Sequence, residues 1–298
     1  MKVVAIVVTY NRCDLLKKVI SSLVEQTYNI DHIIIVDNDS SDSTSDLVQQ
    51  ILDKYNFISY FNTGDNLGGA GGFNKGFILA EKFDYDYLWL MDDDFVPDKN
   101  CLDELIKDSP EGIIQPIRFN LNDTCAEISP VDYNLRRVFC KNPKTKTVVD
   151  VYNNRKLLDK INIAGVPFEG PLISKNVVKR VGYPNPDFFI FNDDLDYSIR
   201  ARKAGFPIVC SFKARAKRLL VNNQSSDLSG WKGYFMLRNH FYILKTYGEN
   251  IFVCNRPLLI TFFYIVLGVF KLDFKLVKTI ISAYKDSFSL SNSLKYRP

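Results

Sequence analysis

The sequence predicts an α/β protein built on a mostly parallel, doubly wound sheet, followed by a helical extension. Continuous runs of β-branched and other apolar residues, typical of strands buried on both faces, alternate with segments of helical apolar spacing. Polar clusters follow the apolar runs. Repeated β-α units of this kind favour right-handed crossovers and parallel strands.

Strands and helices alternate through the first hundred residues. Strands are predicted at 3–10, 32–38, 57–62 and 85–92, and helices at 14–26, 43–55 and 66–82. Ligands of parallel sheets bind beyond the carboxyl ends of the strands. The polar segments Thr9–Arg12, Asp37–Asp39, Asn62–Asn66 and Asp92–Asp94 are therefore expected to share one crevice.

The alternation of apolar strands and helices becomes irregular between residues 113 and 160, which predicts a flexible loop or a β-meander. Residues 168–182 predict a strand, a turn and a helix. A helix is expected at 194–205, with Gly205 at its end, and a strand at 206–210. The chain is then helical from Trp231, so the expected division is a catalytic domain at 1–225 and a helical segment at 226–298.

The helical segment contains an apolar run at 258–270. This run is shorter than the ~20 residues that span a bilayer, and Lys271 and Asp273 interrupt it. Two interpretations stand. In one, the segment is a cap packed on the catalytic domain, with its aromatic residues in the core. In the other it lies on a membrane surface, with apolar residues in the interface and lysines toward anionic headgroups. The residues concerned are Phe262, Phe263, Tyr264, Phe270, Lys271, Lys275, Lys278 and Lys285.

Composition narrows the function classes. The 298 residues are 46% hydrophobic and carry a formal net charge of +4, too mild a balance to indicate nucleic acid as a partner. Acids cluster before Asp98, whereas basic residues become frequent after Leu195. Six cysteines form no CxxC pair, and the sequence opens directly into a strand without a signal-peptide pattern, which predicts a reducing, cytosolic setting.

Three consecutive carboxylates, Asp92, Asp93 and Asp94, follow the fourth predicted strand. Like charges this close repel, so the cluster is either a solvated turn or the seat of a cation. Oxygen ligands suit Mg²⁺ or Mn²⁺, which usually bind together with substrate phosphates. The place of the cluster after a buried strand favours a metal–diphosphate site held by Asp92 and Asp94.

A second acidic group, Asp193, Asp194 and Asp196, opens the helix at 194–205. Capping and complementing the helix dipole is the structural interpretation, but capping needs only one acid. A carboxylate at this position could instead deprotonate a hydroxyl nucleophile.

The glycine-rich stretch at 68–72 has no G-K-[ST] after it and does not follow the first strand, so it is a weak dinucleotide-binding signal. It predicts either a tight turn or a close backbone approach to a bound sugar or nucleotide.

Together these pieces resemble the inverting glycosyltransferases of family 2, with the GT-A-type fold. The matching motifs are "VVTYNR", "IVDNDSSDST", "MDDD" and "NDDLDYSIRARKAG", and the resemblance covers roughly residues 1–245. The stretches "NLGGAGGFNKG" and "WKGYFMLRNH" look most like bacterial galactofuranosyltransferases, with rhamnosyltransferases close behind. The resemblance implies a UDP- or dTDP-linked sugar donor and a growing, lipid-linked glycan as acceptor. It also favours an enzyme peripheral to the inner face of the membrane.

The resemblance also implies roles for single residues. Asp92 and Asp94 would hold Mn²⁺ or Mg²⁺, and Asp194 would be the general base, with Asp193 beside it. The expected donor-binding residues are Thr9, Tyr10, Arg12, Asp37, Asn38, Asn66, Gly68, Gly69 and Asp93.

One departure concerns the metal. Family members often place a metal-binding histidine where this chain has Lys217 and Arg218. Either the aspartates and the donor phosphates hold the ion alone, or a cation of this pair contacts the diphosphate. Lys217 and Arg218 are therefore counted as donor-binding residues.

Other function classes fit less well. A nucleotidyltransferase would carry a glycine-rich basic signature after the first strand, which "TYNRCDLL" lacks. A non-catalytic nucleotide-sugar-binding protein on the same fold stays as an alternative, because a fold does not guarantee an activity.

Overall fold

A computed structural model describes residues 1–108, 111–140, 143–154, 158–220, 228–290 and 296–297. The predicted domain boundary at 225/226 lies outside these residues. The strands are β1 (Val3–Thr9), β2 (His32–Asp37), β3 (Ile58–Asn62), β4 (Tyr87–Asp92), β5 (Phe95–Pro97), β6 (Ile113–Phe119), β7 (Pro130–Tyr133), β8 (Lys144–Thr147), β9 (Lys160–Asn162), β10 (Leu172–Ser174) and β11 (Ile208–Arg218).

The helices are α1 (Cys13–Val24), α2 (Thr44–Lys54), α3 (Gly68–Ala80), α4 (Cys101–Lys107), α5 (Val148–Asn154), α6 (Lys175–Val181), α7 (Asp193–Lys203), α8 (Trp231–Tyr247), α9 (Ile251–Phe270) and α10 (Phe274–Asp286), with a 3₁₀ turn at Pro186–Phe188. The strands and helices predicted for the first hundred residues are confirmed.

The main sheet has the order β3-β2-β1-β4-β10-β6-β11-β5, with β9 paired to β11. Strands β1 to β4 are parallel, as predicted, and β6 is parallel to β11. Strands β5, β9 and β10 are antiparallel to their neighbours, so the sheet is mixed and mostly parallel. A separate hairpin joins β7 and β8.

Strand β1 lies in the centre of the parallel half, and its residues are all buried. Successive side chains of a strand point to opposite faces, which accounts for its unbroken apolar run. Val3, Ala5 and Val7 pack in the core that contains α1 and α2, whereas Val4 and Ile6 pack toward α3. Burial of each such aliphatic side chain is worth about 1.5–3 kcal/mol.

The prediction of a loop or meander for 113–160 is wrong for β6, which is fully buried between β10 and β11. Gln115 and Arg118 interrupt the apolar pattern of this strand, yet both are buried with hydrogen-bond partners. The strand expected at 206–210 also continues to Arg218, past a bulge between Ser211 and Arg215.

Helix α9 begins at Ile251, before the apolar run at 258–270, and is therefore 20 residues long. It is thus long and apolar enough, by length and composition, to cross a membrane, and the expectation of a run too short for this was wrong. One stripe, including Val253, Pro257 and Thr261, is buried against the protein. The opposite face is apolar and exposed.

Candidate active site

The carboxyl ends of β1 to β4 meet at one edge of the sheet, which we call the donor edge. Thr9 at the end of β1 is paired with Asp37 at the end of β2, which is paired with Asn62 of β3. Val8 is paired with Asp92 on the other side. The prediction that the four polar segments share one edge is therefore confirmed by the strand register.

Asp93 braces the end of β1 against the end of β4. It is buried and accepts hydrogen bonds from the Thr9 hydroxyl at 2.9 Å, the Tyr10 backbone N–H at 3.3 Å and the Arg12 guanidinium at 2.8 Å. Burial raises the pKa of Asp93, while Arg12 and Thr9 oppose that shift. Two predicted donor-binding residues, Thr9 and Arg12, are thus hydrogen-bonded to a third, Asp93. Tyr10 is left exposed at the edge.

Asp37 and Asn38 are buried behind this edge. The Asp37 carboxylate accepts hydrogen bonds from the Ser40 hydroxyl at 2.6 Å and from the Tyr60 hydroxyl at 2.7 Å. The Asn38 amide donates to the Gly68 carbonyl at 3.0 Å. Their donor-binding roles stay predictions. Asp39, whose backbone has φ 63°, is the exposed acid of this segment.

A cavity of about 230 Å³ opens at the donor edge. It is lined by Tyr10, Asp39, Asp65, Asn66, Phe189 and Arg297. Of these, the sequence predicted Tyr10 and Asn66. Asp39 and Asp65 belong to the expected polar segments. Phe189 and Arg297 come from distant parts of the chain and carried no sequence signal.

The glycine-rich stretch serves packing. Gly68 has φ 69°, and a Cβ there would lie 2.2 Å from the Phe189 carbonyl oxygen. A Cβ on Gly72 would lie 2.5 Å from the Val8 side chain. Helix α3 can therefore approach β1 closely only because residue 72 has no side chain. Open space surrounds Gly69, so of the two glycines expected at the donor only this one has room for a ligand.

Asp92, Asp94 and Glu169 interact electrostatically at the end of β4, and we call them the acidic cluster. Burial raises the pKa of Asp92 well above its ordinary value, and Glu169 and Asp94 raise it further. Burial and Glu169 likewise raise the pKa of Asp94 to about 6. The mutual repulsion expected from the sequence is therefore present, with Glu169 as an additional member that sequence reasoning missed.

Two arginines, Arg118 and Arg218, form ion pairs with Glu169. Arg118 is buried, contacts Glu169, and forms a two-pronged ion pair with the buried Glu127 at 2.7 and 2.9 Å. The Arg218 guanidinium lies 2.9 Å from the Glu169 carboxylate. Such charge-assisted pairs hold a carboxylate in a defined orientation.

Lys217 does not join this cluster. Consecutive residues of a strand point to opposite faces, and the Lys217 ammonium lies 3.1 Å from Asp123 on the outside. Of the two cations at the usual histidine position, only Arg218 lies beside the acidic cluster.

The acidic cluster provides some, but not all, of the ligands that a divalent cation needs. Among the described residues, none donates a hydrogen bond to the side chains of Asp92 or Asp94, so these oxygens are available as ligands of Mg²⁺ or Mn²⁺. No group of three or more His, Cys, Asp or Glu side chains in the described chain is arranged as a metal site. Other ligands would have to come from the substrate, as is usual for ions bound with phosphates.

The segment Phe188–Asn192, which we call the base loop, leads into α7 and is strained. Phe189, Phe191 and Asn192 all have positive φ, at 62°, 67° and 64°. Such backbone conformations cost about 1–3 kcal/mol each outside glycine and persist only where surrounding contacts enforce them. The Ala70 N–H donates to the Phe189 carbonyl at 3.1 Å, so the loop is joined to α3 at the donor edge.

Two side chains of α8 enforce the loop. The fully buried Asn239 amide donates to the carbonyls of Phe188, Ile190 and Phe191 at 2.7–3.0 Å. The Arg238 guanidinium donates to the carbonyls of Asp187 and Phe188 at 2.6 and 3.1 Å. The "RN" of "WKGYFMLRNH" therefore holds the backbone immediately before the two candidate catalytic acids.

Asp193 and Asp194 differ in their surroundings. Burial and the neighbouring Asp194 raise the pKa of Asp193 to about 8. Burial also raises the pKa of Asp194; Glu169 raises it further, whereas Lys144 and Arg118 lower it. The Asp194 carboxylate accepts a hydrogen bond from the Leu195 N–H at 2.7 Å. Asp194 thus shares electrostatic neighbours with the acidic cluster. A carboxylate of raised pKa is suited to act as a base.

The fold and this edge define a GT-A-type glycosyltransferase. Residues 4–157 match glycosyl transferase family 2, and the chain belongs to that family.

Similar proteins agree with this. The chain is 28% identical over 263 residues to galactofuranosyltransferase GlfT1 of Mycolicibacterium smegmatis, covering 83% of this chain and 84% of that protein. Among solved structures, it resembles the mannosyltransferase PcManGT from Pyrobaculum calidifontis in complex with GDP-Man and Mn²⁺, with TM-score 0.60, 15% identity and coverage of 99% and 77%. It also resembles GalNAc-T7 with UDP, GalNAc and Mn²⁺, with TM-score 0.59, 11% identity and coverage of 84% and 52%. At these identities the solved structures establish the fold.

Proposed function

We propose that this enzyme transfers galactofuranose from UDP-galactofuranose, with inversion, to a growing bacterial surface glycan that is lipid-linked. The observation that carries the proposal is that Asp194 lies at the head of α7 and that Glu169, which raises the pKa of Asp92 and Asp94, also raises the pKa of Asp194. An acceptor base and a site for a leaving diphosphate then lie in the same crevice. The galactofuranosyltransferase relatives support the choice of sugar.

Each group has a role in a direct displacement at the anomeric carbon. The nucleotide of the donor, with its diphosphate, occupies the cavity at the donor edge, beside Tyr10 and Asn66. Asp194 removes the proton of the acceptor hydroxyl, and Asp193 orients it. Asp92 and Asp94 would hold Mn²⁺ or Mg²⁺, and two solved structures of the same fold contain Mn²⁺. When bound, this ion neutralises charge on the leaving diphosphate.

The test of the proposal is donor-dependent nucleotide release. The purified chain is assayed with UDP-galactofuranose, UDP-galactopyranose and dTDP-rhamnose, with and without a lipid-linked glycan acceptor, in the presence of Mn²⁺. Release of UDP from UDP-galactofuranose that depends on the acceptor is expected, and the product should show the inverted anomeric configuration by NMR. Preferred turnover of the dTDP-sugar would instead favour a rhamnosyltransferase. Nucleotide-sugar binding without turnover of any donor would favour a binding protein.

A lipid-linked acceptor fits the exposed face of α9. Phe262, Phe263 and Phe270 are 68%, 61% and 85% exposed, so the interpretation that places them in the core is wrong for these three, whereas Tyr264 packs on the protein. A surface helix ordinarily turns polar residues outward, and apolar patches of this kind mark interaction sites.

Exposed lysines follow this face along the chain. Lys271 follows α9, and Lys275, Lys278 and Lys285 are exposed on α10. Apolar residues beside lysines are typical of elements that lie in the interface of an anionic membrane. On this ground we propose that α9 and α10 lie on the inner face of the cell membrane, next to a lipid-linked acceptor.

Co-sedimentation with liposomes tests the placement. The full-length chain should pellet with anionic vesicles and less with neutral ones, and high salt should reduce pelleting because the Debye length falls to about 3 Å at 1 M. Phe262→Ser with Phe263→Ser should reduce pelleting at every salt concentration. Equal pelleting with both lipids would reject the role of the lysines, and no pelleting with either would reject the membrane placement.

A further inference from the structure

Arg297 lines the donor cavity although it lies 232 residues after its ion-pair partner Asp65. The distance from the Arg297 Nη1 to the Asp65 carboxylate is 2.8 Å. The guanidinium carbon lies 5.9 Å from the centre of the Phe189 ring. Arg297 thus contacts the donor edge on one side and the base loop on the other.

The preceding residue anchors this position. Tyr296 is buried and stacks on Tyr234 of α8, with ring centres 3.9 Å apart and ring planes 5° from parallel. Tyr234 in turn donates a hydrogen bond to Asp286 of α10 at 2.6 Å. A stacked, buried tyrosine restricts where the next side chain can lie, so Arg297 is held at the mouth of the cavity.

The side chains that line the cavity carry more negative than positive charge, which is unfavourable for an anionic nucleotide. Asp39 and Asp65 contribute two carboxylates, and Arg297 is the single cationic side chain among the described residues that line the cavity. A diphosphate entering next to two carboxylates would be repelled unless a cation offsets them. Asp65 accepts its hydrogen bond from Nη1, and the buried Nε has no hydrogen-bond partner among the described residues, so the ion pair does not use all the donors of the guanidinium.

We propose that Arg297 is a donor-binding residue, whose guanidinium forms the outer wall of the cavity and hydrogen-bonds the diphosphate of the nucleotide. The planar fork of arginine matches phosphate oxygens with two parallel hydrogen bonds. This proposal rests on the nucleotide-sugar donor of the proposed function. It adds Arg297, which follows α10 in the chain, to a cavity otherwise lined by Tyr10, Asp39, Asp65, Asn66 and Phe189.

The experiment compares UDP with uridine, which has the same base and ribose but no phosphate. Their affinities for the full-length chain are measured by calorimetry, with Mn²⁺ present, for the wild type, Arg297→Ala and Arg297→Lys. Arg297→Ala should weaken UDP binding about 10- to 100-fold, as expected for hydrogen bonds to a charged group, and leave uridine binding unchanged. Arg297→Lys should restore part of the loss, because it keeps the charge without the fork.

The matched control is Arg136→Ala. Arg136 also forms an ion pair with an acid, Glu249 at 3.1 Å, but does not line the cavity. UDP affinity should stay at the wild-type value in this variant.

The outcomes separate the two proposals. Wild-type affinity for UDP in Arg297→Ala, or an equal loss for UDP and uridine, would overturn the role of Arg297 and leave the proposed function standing. Failure of the wild type to bind UDP would overturn both.

Discussion

The donor edge and the base loop bring acids to the same crevice by different means. At the donor edge each polar side chain follows a strand, and the register of β1, β2 and β4 alone aligns Thr9, Asp37 and Asp92. The base loop belongs to no strand. It adopts three positive-φ residues and depends on Arg238 and Asn239, about fifty residues later, for its backbone hydrogen bonds.

This difference indicates where function and stability are coupled. A side chain at the end of a fully buried strand can be replaced without moving the strand, because packing holds the backbone. A strained loop relaxes once the contacts that enforce it are removed. Substitutions at the donor edge should therefore change activity alone, whereas substitutions that reach the base loop should change activity and stability together.

The largest effect is expected at the metal pair. Asp92→Asn and Asp94→Asn should each lower kcat/KM by about 10³-fold, since metal-assisted charge stabilisation is worth several kcal/mol and each 1.36 kcal/mol is tenfold in rate. The melting temperature should stay or rise, because one of three repelling carboxylates is removed. Initial rates with Mn²⁺ and thermal melts measure both. Full activity of the wild type in excess chelator would contradict the metal role and favour Arg218 as the group that neutralises the diphosphate.

The second effect concerns the base. Asp194→Asn should reduce kcat by about 10²-fold or more, the range for a positioned base, while UDP affinity stays near wild type. Because the base acts ionised and burial raises the pKa of Asp194, wild-type kcat should fall as the pH is lowered through that pKa. Steady-state rates across pH and calorimetry with UDP check these expectations. A greater loss of kcat in Asp193→Asn would reverse the assignment.

The third prediction tests the clamp on the base loop. Asn239→Ala removes hydrogen bonds to three carbonyls. It should lower the free energy of unfolding by about 1–3 kcal/mol, the cost of leaving buried polar groups unpaired. It should also reduce kcat about tenfold or more through misplacement of Asp194.

A matched control exists on α9. Asn255 donates within its own helix to the Ile251 carbonyl at 2.8 Å, and it is exposed. Asn255→Ala should leave kcat and stability near wild type. If Asn239→Ala lowered stability alone, with kcat unchanged, the base loop would not depend on this clamp.

The last prediction is a pH dependence of stability at Asp193. Its pKa is raised from 3.8 to about 8, so between these values the folded state keeps a proton that the unfolded chain has lost. Stability should then fall as the pH rises over this range. Asp193→Asn removes this contribution, so the melting temperature of the variant minus that of the wild type should grow from about pH 5 to about pH 8. Parallel melting curves across pH would show that Asp193 does not hold the proton.

Much of the donor edge was predictable from the sequence. The apolar runs and their spacing indicate parallel strands, and parallel strands end at one edge whatever the details of packing. This is why the positions of Tyr10, Asn66, Asp92 and Asp94 agree with expectation. The acid pair at the head of α7 was predictable for a similar reason, since its sequence marks a helix N-terminus.

Other members of the crevice were decided by the tertiary structure. Glu169 joins the acidic cluster because Arg118 and Arg218 hold it there, and no local pattern reveals ion pairs across 49 or 51 residues. The sequence also did not reveal that Lys217 and Arg218 point to opposite faces of β11, because the predicted strand ended at residue 210 and β11 continues to Arg218.

The sequence by itself determined the α/β order, the common edge of the first four strands and the acids that close β4 and open α7, because these follow from local periodicity and chain direction. Only the tertiary structure decided that Asn239 holds the base loop, that Arg297 reaches the donor cavity, and that the outer face of α9 is apolar and exposed. These depend on which surfaces pack together, and packing is set by the whole chain rather than by any one segment of it.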